Sequence, residues 1–315
     1  MKKNAFLQIS FGWLFALVVG AFILFLAVFM VVRLMQTEEV SQDAQLAKDI
    51  GILLQPLETG FETGKTTFLE LATETRIYTN CSESDNDSYF GEQIIRTSQQ
   101  SFGKWSNTDV EVAFQNKYIF SDNPVEGKKF YLFSKPFEFP FKVSDLIYVI
   151  SAEKDYCFVG AGEEINEELS RINMKNVMNK TSISLCPLES EKICFNSFSS
   201  TCDTKVKTTG VKSVKRINSS TVYFEEDALM YAAIFSNRNL YECQVRRLMK
   251  RVESLASLYD KKSILIRPKN CNSGINLLPL ITHANNLDES NKLEVMAPIV
   301  NQIKQQNDFE YCKLW

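Results

Sequence analysis

The sequence predicts an α+β protein, with α/β as the alternative. An N-terminal transmembrane helix and a helical stalk come first, then a mixed sheet covered by helices. Three observations lead there. Residues 11–32 carry no charge and no strongly polar side chain. The rest of the 315-residue chain mixes strand and helix periodicities, and these alternate after about residue 160. All eight cysteines follow the apolar run.

The apolar run defines the first element. Its 22 residues rise about 33 Å as an α-helix at ~1.5 Å each, against a hydrocarbon core of ~30 Å. This divides the chain into a cytoplasmic tail at 1–10, a membrane anchor at 11–33, a helical stalk at 34–57 and an extracytoplasmic domain at 58–315. A sub-boundary is expected near 160. The anchor ends in Val31-Val32-Arg33 without a small-residue cleavage site, so it reads as an uncleaved signal anchor in contact with the bilayer. Lys2 and Lys3 precede it, whereas Arg33 and then Lys48 follow, a bias that places the N-terminus inside. In the stalk, Leu46, Ile50, Leu53 and Leu57 share a helical face; Pro56 limits the element and Gly51 invites a bend.

Residues 61–160 read mainly as β. Residues 66–78 form a strand with a break around Ala72, and 81–88 a polar loop. Residues 92–105 are expected to form a short helix with Ile94, Ile95 and Phe102 inward. Val110, Val112 and Phe114 alternate, and Tyr118 and Phe120 resume the pattern. After a turn at 123–127 comes a strand at 129–134. Phe137, Phe139, Phe141 and Val143 then alternate with Pro136, Glu138, Pro140 and Lys142. Proline cannot donate to a central ladder, so this is an edge strand or an extended surface segment. Strands are expected again at 146–150 and 156–159.

Beyond 160, residues 163–178 read as a helix with Ile165, Leu169 and Ile172 inward. Residues 182–186 and 192–195 read as strands, 197–220 as a lysine-rich excursion, 221–224 as a strand and 225–235 as a helix. Val245, Leu248, Met249, Val252, Leu255, Ala256 and Tyr259 form one apolar stripe, which marks a long helix. A strand at 263–266 and a helix at 287–306, interrupted near Pro298, complete the expected elements.

In an oxidising compartment Cys81, Cys157, Cys186, Cys194, Cys202, Cys243, Cys271 and Cys312 read as up to four disulfides, with pairing left open. No Cys-x-x-Cys pair exists and His283 is the sole histidine, which leaves no usual zinc spacing. A net charge of −3 gives no reason to expect nucleic acid. Asn80, Asn86, Asn179 and Asn218 open Asn-x-Ser/Thr sequences that accept glycans outside the cell.

Motifs for catalysis are weak. Between Gly60 and Gly64 stand three residues, where a phosphate loop needs four. His283 has no serine elbow to serve. Glu163, Glu164, Glu167 and Glu168 sit where acids suit a helix start. Asp85 and Asp87 lack the glycine and glutamate of a calcium loop. No catalytic residue, cofactor or metal is therefore assigned. Two partner surfaces are. The alternate phenylalanines Phe137, Phe139 and Phe141 could accept a partner strand, or else pack on their own sheet. Arg246, Arg247, Lys250 and Arg251 form a basic face opposite the apolar stripe.

Residues 130–148, 228–235, 241–251 and the terminal Cys312-Lys-Leu-Trp315 resemble a family of uncharacterised archaeal single-pass membrane proteins. The resemblance spans nearly the whole chain and implies an archaeal origin, with no activity or functional residue to transfer. Lys2-Lys3 followed by Gln8-Ile9-Ser10-Phe11 is similar to archaeal type IV pilin precursors, which are cut before such a Gln. Leu7 and Gly12 depart from the usual small residue and glutamate of that motif. The expected function is that of a membrane-anchored cell-surface protein with an interaction or structural role and a protein partner. A pilin-like subunit and an extracytoplasmic enzyme acting on envelope polymers are the alternatives.

Overall fold

The computed structural model describes residues 11–53, 66–83, 90–101, 103–106, 111–197, 199–269 and 271–315. The tail, Pro56, Leu57, the Gly60–Gly64 turn, Asp85, Asn86, Asp87, Phe102 and Val110 lie outside them. The architecture is α+β, with two sheets where one was expected.

Helix α1 (Phe11–Leu53) runs unbroken for 43 residues. Its stretch Gly12–Val31 is long and apolar enough to cross a membrane, with mean hydropathy 3.0 and none of it buried. The far end behaves differently: Ala47, Ile50 and Gly51 are buried. Gly51 lies within the helix, two residues before its end. Its missing side chain makes room for the Phe114 ring, which a Cβ there would overlap.

The first sheet runs β3 (Lys104–Trp105), β2 (Glu92–Ser101), β1 (Thr67–Ser82), β6 (Val125–Glu138), β7 (Lys142–Ser151) and β5 (Ile119–Phe120), with β4 (Val112–Phe114) beside β2. Pairing is antiparallel except between β5 and β7. The break expected around Ala72 is a shift of register between Glu70 and Thr75. The helix expected at 92–105 is overturned: β2 is a strand that buries Gln93, Ile95 and Thr97 on alternate positions. Two of those three inward residues are polar, which conceals a period of two from a hydrophobicity reading.

Both faces of this sheet are covered. Phe130, Leu132, Ile147 and Val149 join Ile77 and Ile95 in a small core that Ala47 and Ile50 of α1 complete. Phe133, Phe137, Leu146, Tyr148 and Ile150 face the main core. That two-sided burial accounts for the nearly continuous apolar run of β7.

The second sheet is ordered β13 (Val222–Tyr223), β12 (Ser213–Arg216), β11 (Thr204–Lys207), β10 (Glu191–Phe195), β8 (Tyr156–Val159) and β9 (Val177–Lys180). Strands β9, β8, β10 and β11 are parallel, and β12 and β13 are antiparallel. Helix α2 (Glu163–Ile172) forms the β8–β9 crossover and buries Ile165, Leu169 and Ile172. It stops well short of residue 178 because Asn173 adopts a left-handed conformation (φ 50°). The strand expected at 182–186 is a 3₁₀ turn at Ile183–Leu185. The lysine-rich excursion contains β11 and β12.

Between the sheets lies α3 (Asp227–Phe235). Its run Ala-Leu-Met-Tyr-Ala-Ala-Ile-Phe is apolar on every side and buried on every side. Phe235 meets Phe133 and Tyr148 of the first sheet and Tyr156 and Phe158 of the second. The change of sheet falls between Ser151 and Tyr156, close to the expected sub-boundary, yet this aromatic core crosses it. Helix α4 (Arg238–Ile266), capped by Asn237, buries Val245, Leu248, Met249, Val252 and Ala256. It continues through 263–266, where a strand was expected; a four-residue apolar run carries no period of its own. Helices α5 (Leu278–Asn285), absent from the sequence reading, and α6 (Leu293–Phe309) pack alongside. Pro298 lies within α6 without interrupting it.

Candidate functional site

All eight cysteines pair: Cys81–Cys243, Cys157–Cys186, Cys194–Cys202 and Cys271–Cys312. The first ties the end of β1 to α4 across 162 residues of sequence. The next two flank one small cluster on the second sheet, with Val159, Met178 and Ile183.

The aromatic partner surface is overturned. Phe137, Phe139 and Phe141 are 0–1% exposed. Phe137 and Phe139 stack on each other, and Phe141 meets Tyr259 and Trp315. Pro136 is tolerated because β1 pairs with β6 only up to Leu132, which leaves β7 as the sole described neighbour of the β6 end. The expected edge strand is instead a hairpin: residues 139–141 turn the chain from β6 into β7, and Tyr259 and Trp315 cover Phe141.

The basic face is overturned as well, because its members point to different places. Arg247 is fully buried. It donates to the carbonyls of Phe90, Gly91, Gln115 and Lys117 and to Gln244 Oε1, and lies on the Tyr118 ring. Burial pulls its guanidinium below the ordinary arginine value. Arg246 bonds Glu83 at 2.7 Å and the Asp288 carbonyl. Arg251 lies over Phe90, and Lys250 is half-buried. Of the helix-start acids, Glu168 is taken by Lys135 at 2.7 Å and by Tyr231 Oη. His283 is exposed on α5.

A different group of residues surrounds a cleft of about 710 Å³ where the two sheets meet. Asp122 follows β5, Lys154 sits in the turn from β7 to β8, Glu191 opens β10 and Arg216 closes β12. Asp122 takes Lys154 Nζ at 2.7 Å on Oδ2 and Arg216 Nη2 at 2.8 Å on Oδ1. Glu191 also pairs with Lys154, lies 3.8 Å from Arg216, and accepts from Thr204 Oγ1. Arg216 donates further to the Ser236 carbonyl.

Burial pushes the Asp122 carboxyl up, but Arg216 and Lys154 outweigh it and hold the group below the usual carboxylate range. Burial likewise lowers Lys154, yet Tyr156, Glu191 and Asp122 together raise it above the ordinary lysine value. Asp122 and Glu191 raise Arg216 in the same way. Lys154 and Arg216 thus hold Asp122 ionised and are held charged in turn, an arrangement suited to fixing the cleft's shape rather than to moving protons. Its lips carry apolar side chains: Leu188 is 93% exposed and Ile217 64%.

None of these cleft residues stood out in the sequence. They are single charges and single aliphatics at strand ends and turns, separated by about thirty residues each, with no spacing to read. Among the described residues, no group of three or more His, Cys, Asp or Glu is placed to hold a metal ion. No family model, curated protein or solved structure matches the chain.

Proposed function

We propose that the chain is a single-pass membrane protein, its N-terminus cytoplasmic and its disulfide-stapled domain outside, which acts by recognising a protein partner at the cell surface. One observation carries this reading: a fully exposed apolar helix at one end of a chain whose other end is closed by four disulfides. A bare helix of that length is stable where lipid covers it, and structural disulfides persist in oxidising surroundings. The cleft supports recognition over catalysis. Asp122, Lys154, Glu191 and Arg216 satisfy one another, while Leu188 and Ile217 stand uncovered in its lining.

The test uses intact cells carrying an N-terminal epitope. Added protease is expected to remove the domain and spare the epitope. A photo-cross-linker at Leu188 or Ile217 is expected to yield one adduct of defined mass, lost with Leu188→Asp. A protected domain with eight free thiols overturns the location, and no adduct at either lip overturns recognition through the cleft.

A second reading, a pilin-like filament subunit, is favoured by the continuity of α1 from its apolar stretch into contact with a β-sheet. Mass spectrometry of the native N-terminus tests it, and an intact segment from Met1 to Leu7 would sink it.

A further inference from the structure

We infer that Asn179 and Asn218 carry N-linked glycans and that Asn80 does not. This inference rests on the proposal that the domain lies outside the cell. The acceptor sequences are alike on paper: Asn179-Lys-Thr, Asn218-Ser-Ser and Asn80-Cys-Ser. The fold separates them.

Asn179 is exposed on β9, and its acceptor partner Thr181 is exposed too. Strand β9 pairs with β8 alone and forms one border of the second sheet. Such a border offers unpaired backbone groups to any other chain, and proteins commonly cover or charge it. A bulky hydrophilic glycan at Asn179 would cover it. Asn218 stands on the turn between β12 and β13, held left-handed at φ 58°, and is exposed together with Ser220. No hydrogen bond engages either amide among the described residues. Asn218 lines two smaller hollows rather than the cleft itself.

Asn80 is placed differently. It lies within β1, half-buried and paired with Ile94 of β2. Its side-chain amide is already engaged: turned so that both atoms are satisfied, its nitrogen donates to the Thr79 carbonyl at 3.1 Å and its oxygen accepts from Arg96 at 2.8 Å. The middle residue of its acceptor sequence, Cys81, is bonded to Cys243 on α4. Modification would therefore have to break a contact that the folded chain makes.

The chemistry needs a sugar donor linked to a lipid phosphate and a membrane transferase. The amide nitrogen bonds to the anomeric carbon and gives up one proton. The bond from that carbon to the phosphate oxygen breaks, and the lipid phosphate leaves with the electron pair.

The test is peptide mass spectrometry on the full-length chain purified from its native membranes. Sugar-bearing peptides are expected at Asn179 and Asn218, and a bare peptide at Asn80. Asn218→Gln should raise gel mobility by one step. Thr181→Ala should do the same while leaving Asn179 in place, and the two together should give two steps. A modified Asn80, or bare Asn179 and Asn218, overturns the inference. External protease on the same cells separates the failures. A cleaved domain with bare asparagines overturns the glycans alone, whereas a protected domain with bare asparagines overturns the location as well.

Discussion

The two sheets solve the same problem by different means. In the first, β1, β2, β6 and β7 are 10–16 residues long, and β6 and β7 bury both faces. In the second, no strand exceeds five residues. Its outer face has only a small cluster built around the Cys157–Cys186 and Cys194–Cys202 bonds. Where strands are too short to bury much apolar area, covalent ties stand in for it by restricting the unfolded chain. The contrast teaches that one chain can stabilise one sheet by burial and another by covalent ties.

Cutting the ties is the strongest way to break that contrast. Removing Cys157–Cys186 and Cys194–Cys202 together should cost about 6 kcal/mol, since loops of this size contribute roughly 2.5 to 3.5 kcal/mol each. Hydrogen exchange is the readout: amides of β8, β10 and β11 should lose protection before those of β1, β6 and β7. Equal loss in both sheets would end the distinction.

Next comes Phe137→Ala, which should cost ~3–5 kcal/mol in chemical denaturation because the ring is fully buried. A cost near zero would return Phe137 to the surface. Gly51→Leu should cost about 1–3 kcal/mol by forcing the Phe114 ring away from α1. Protection should then fall in β4 and β2, with the second sheet unaffected.

The smallest effect belongs to the seam between the sheets. Asp122→Asn should cost ~1–2 kcal/mol, because the ion pairs are only partly shielded from water. The sign with pH follows from its lowered carboxyl. Its contribution is complete above the unfolded value of ~3.9 and is lost as pH falls through the lower folded value. The variant should therefore flatten the acid limb of a stability–pH curve, and an unchanged limb would assign acid sensitivity elsewhere.

Much of the fold was legible where one side of an element differs from the other. The stripe from Val245 to Tyr259 and the triad Ile165, Leu169 and Ile172 marked α4 and α2 correctly. The run from Ala228 to Phe235 was legible for the opposite reason, being apolar throughout. Strand β2 was misread because Gln93 and Thr97 point inward. Gln93 bonds the Asn80 carbonyl, the Ile119 amide and Gln244 inside the protein, contacts that hydropathy cannot express. Arg247 was misplaced for a similar reason, since the carbonyls that accept its bonds come from segments more than 125 residues away. The cleft was illegible because four strand ends meet only in three dimensions.

The unbroken α1 has a consequence for height and bearing. Counting from Val31 to Leu46 at ~1.5 Å per residue, about 22 Å of helix separates the apolar stretch from Leu46, which packs against the small core. Under the proposed membrane anchoring, a mast of that length would hold the domain clear of the headgroups. Because the helix enters the small core through Ala47, Ile50 and Gly51, a turn of the mast turns the domain with it. The direction in which the cleft faces is then written into the helical phase of a segment that is no part of the cleft's lining.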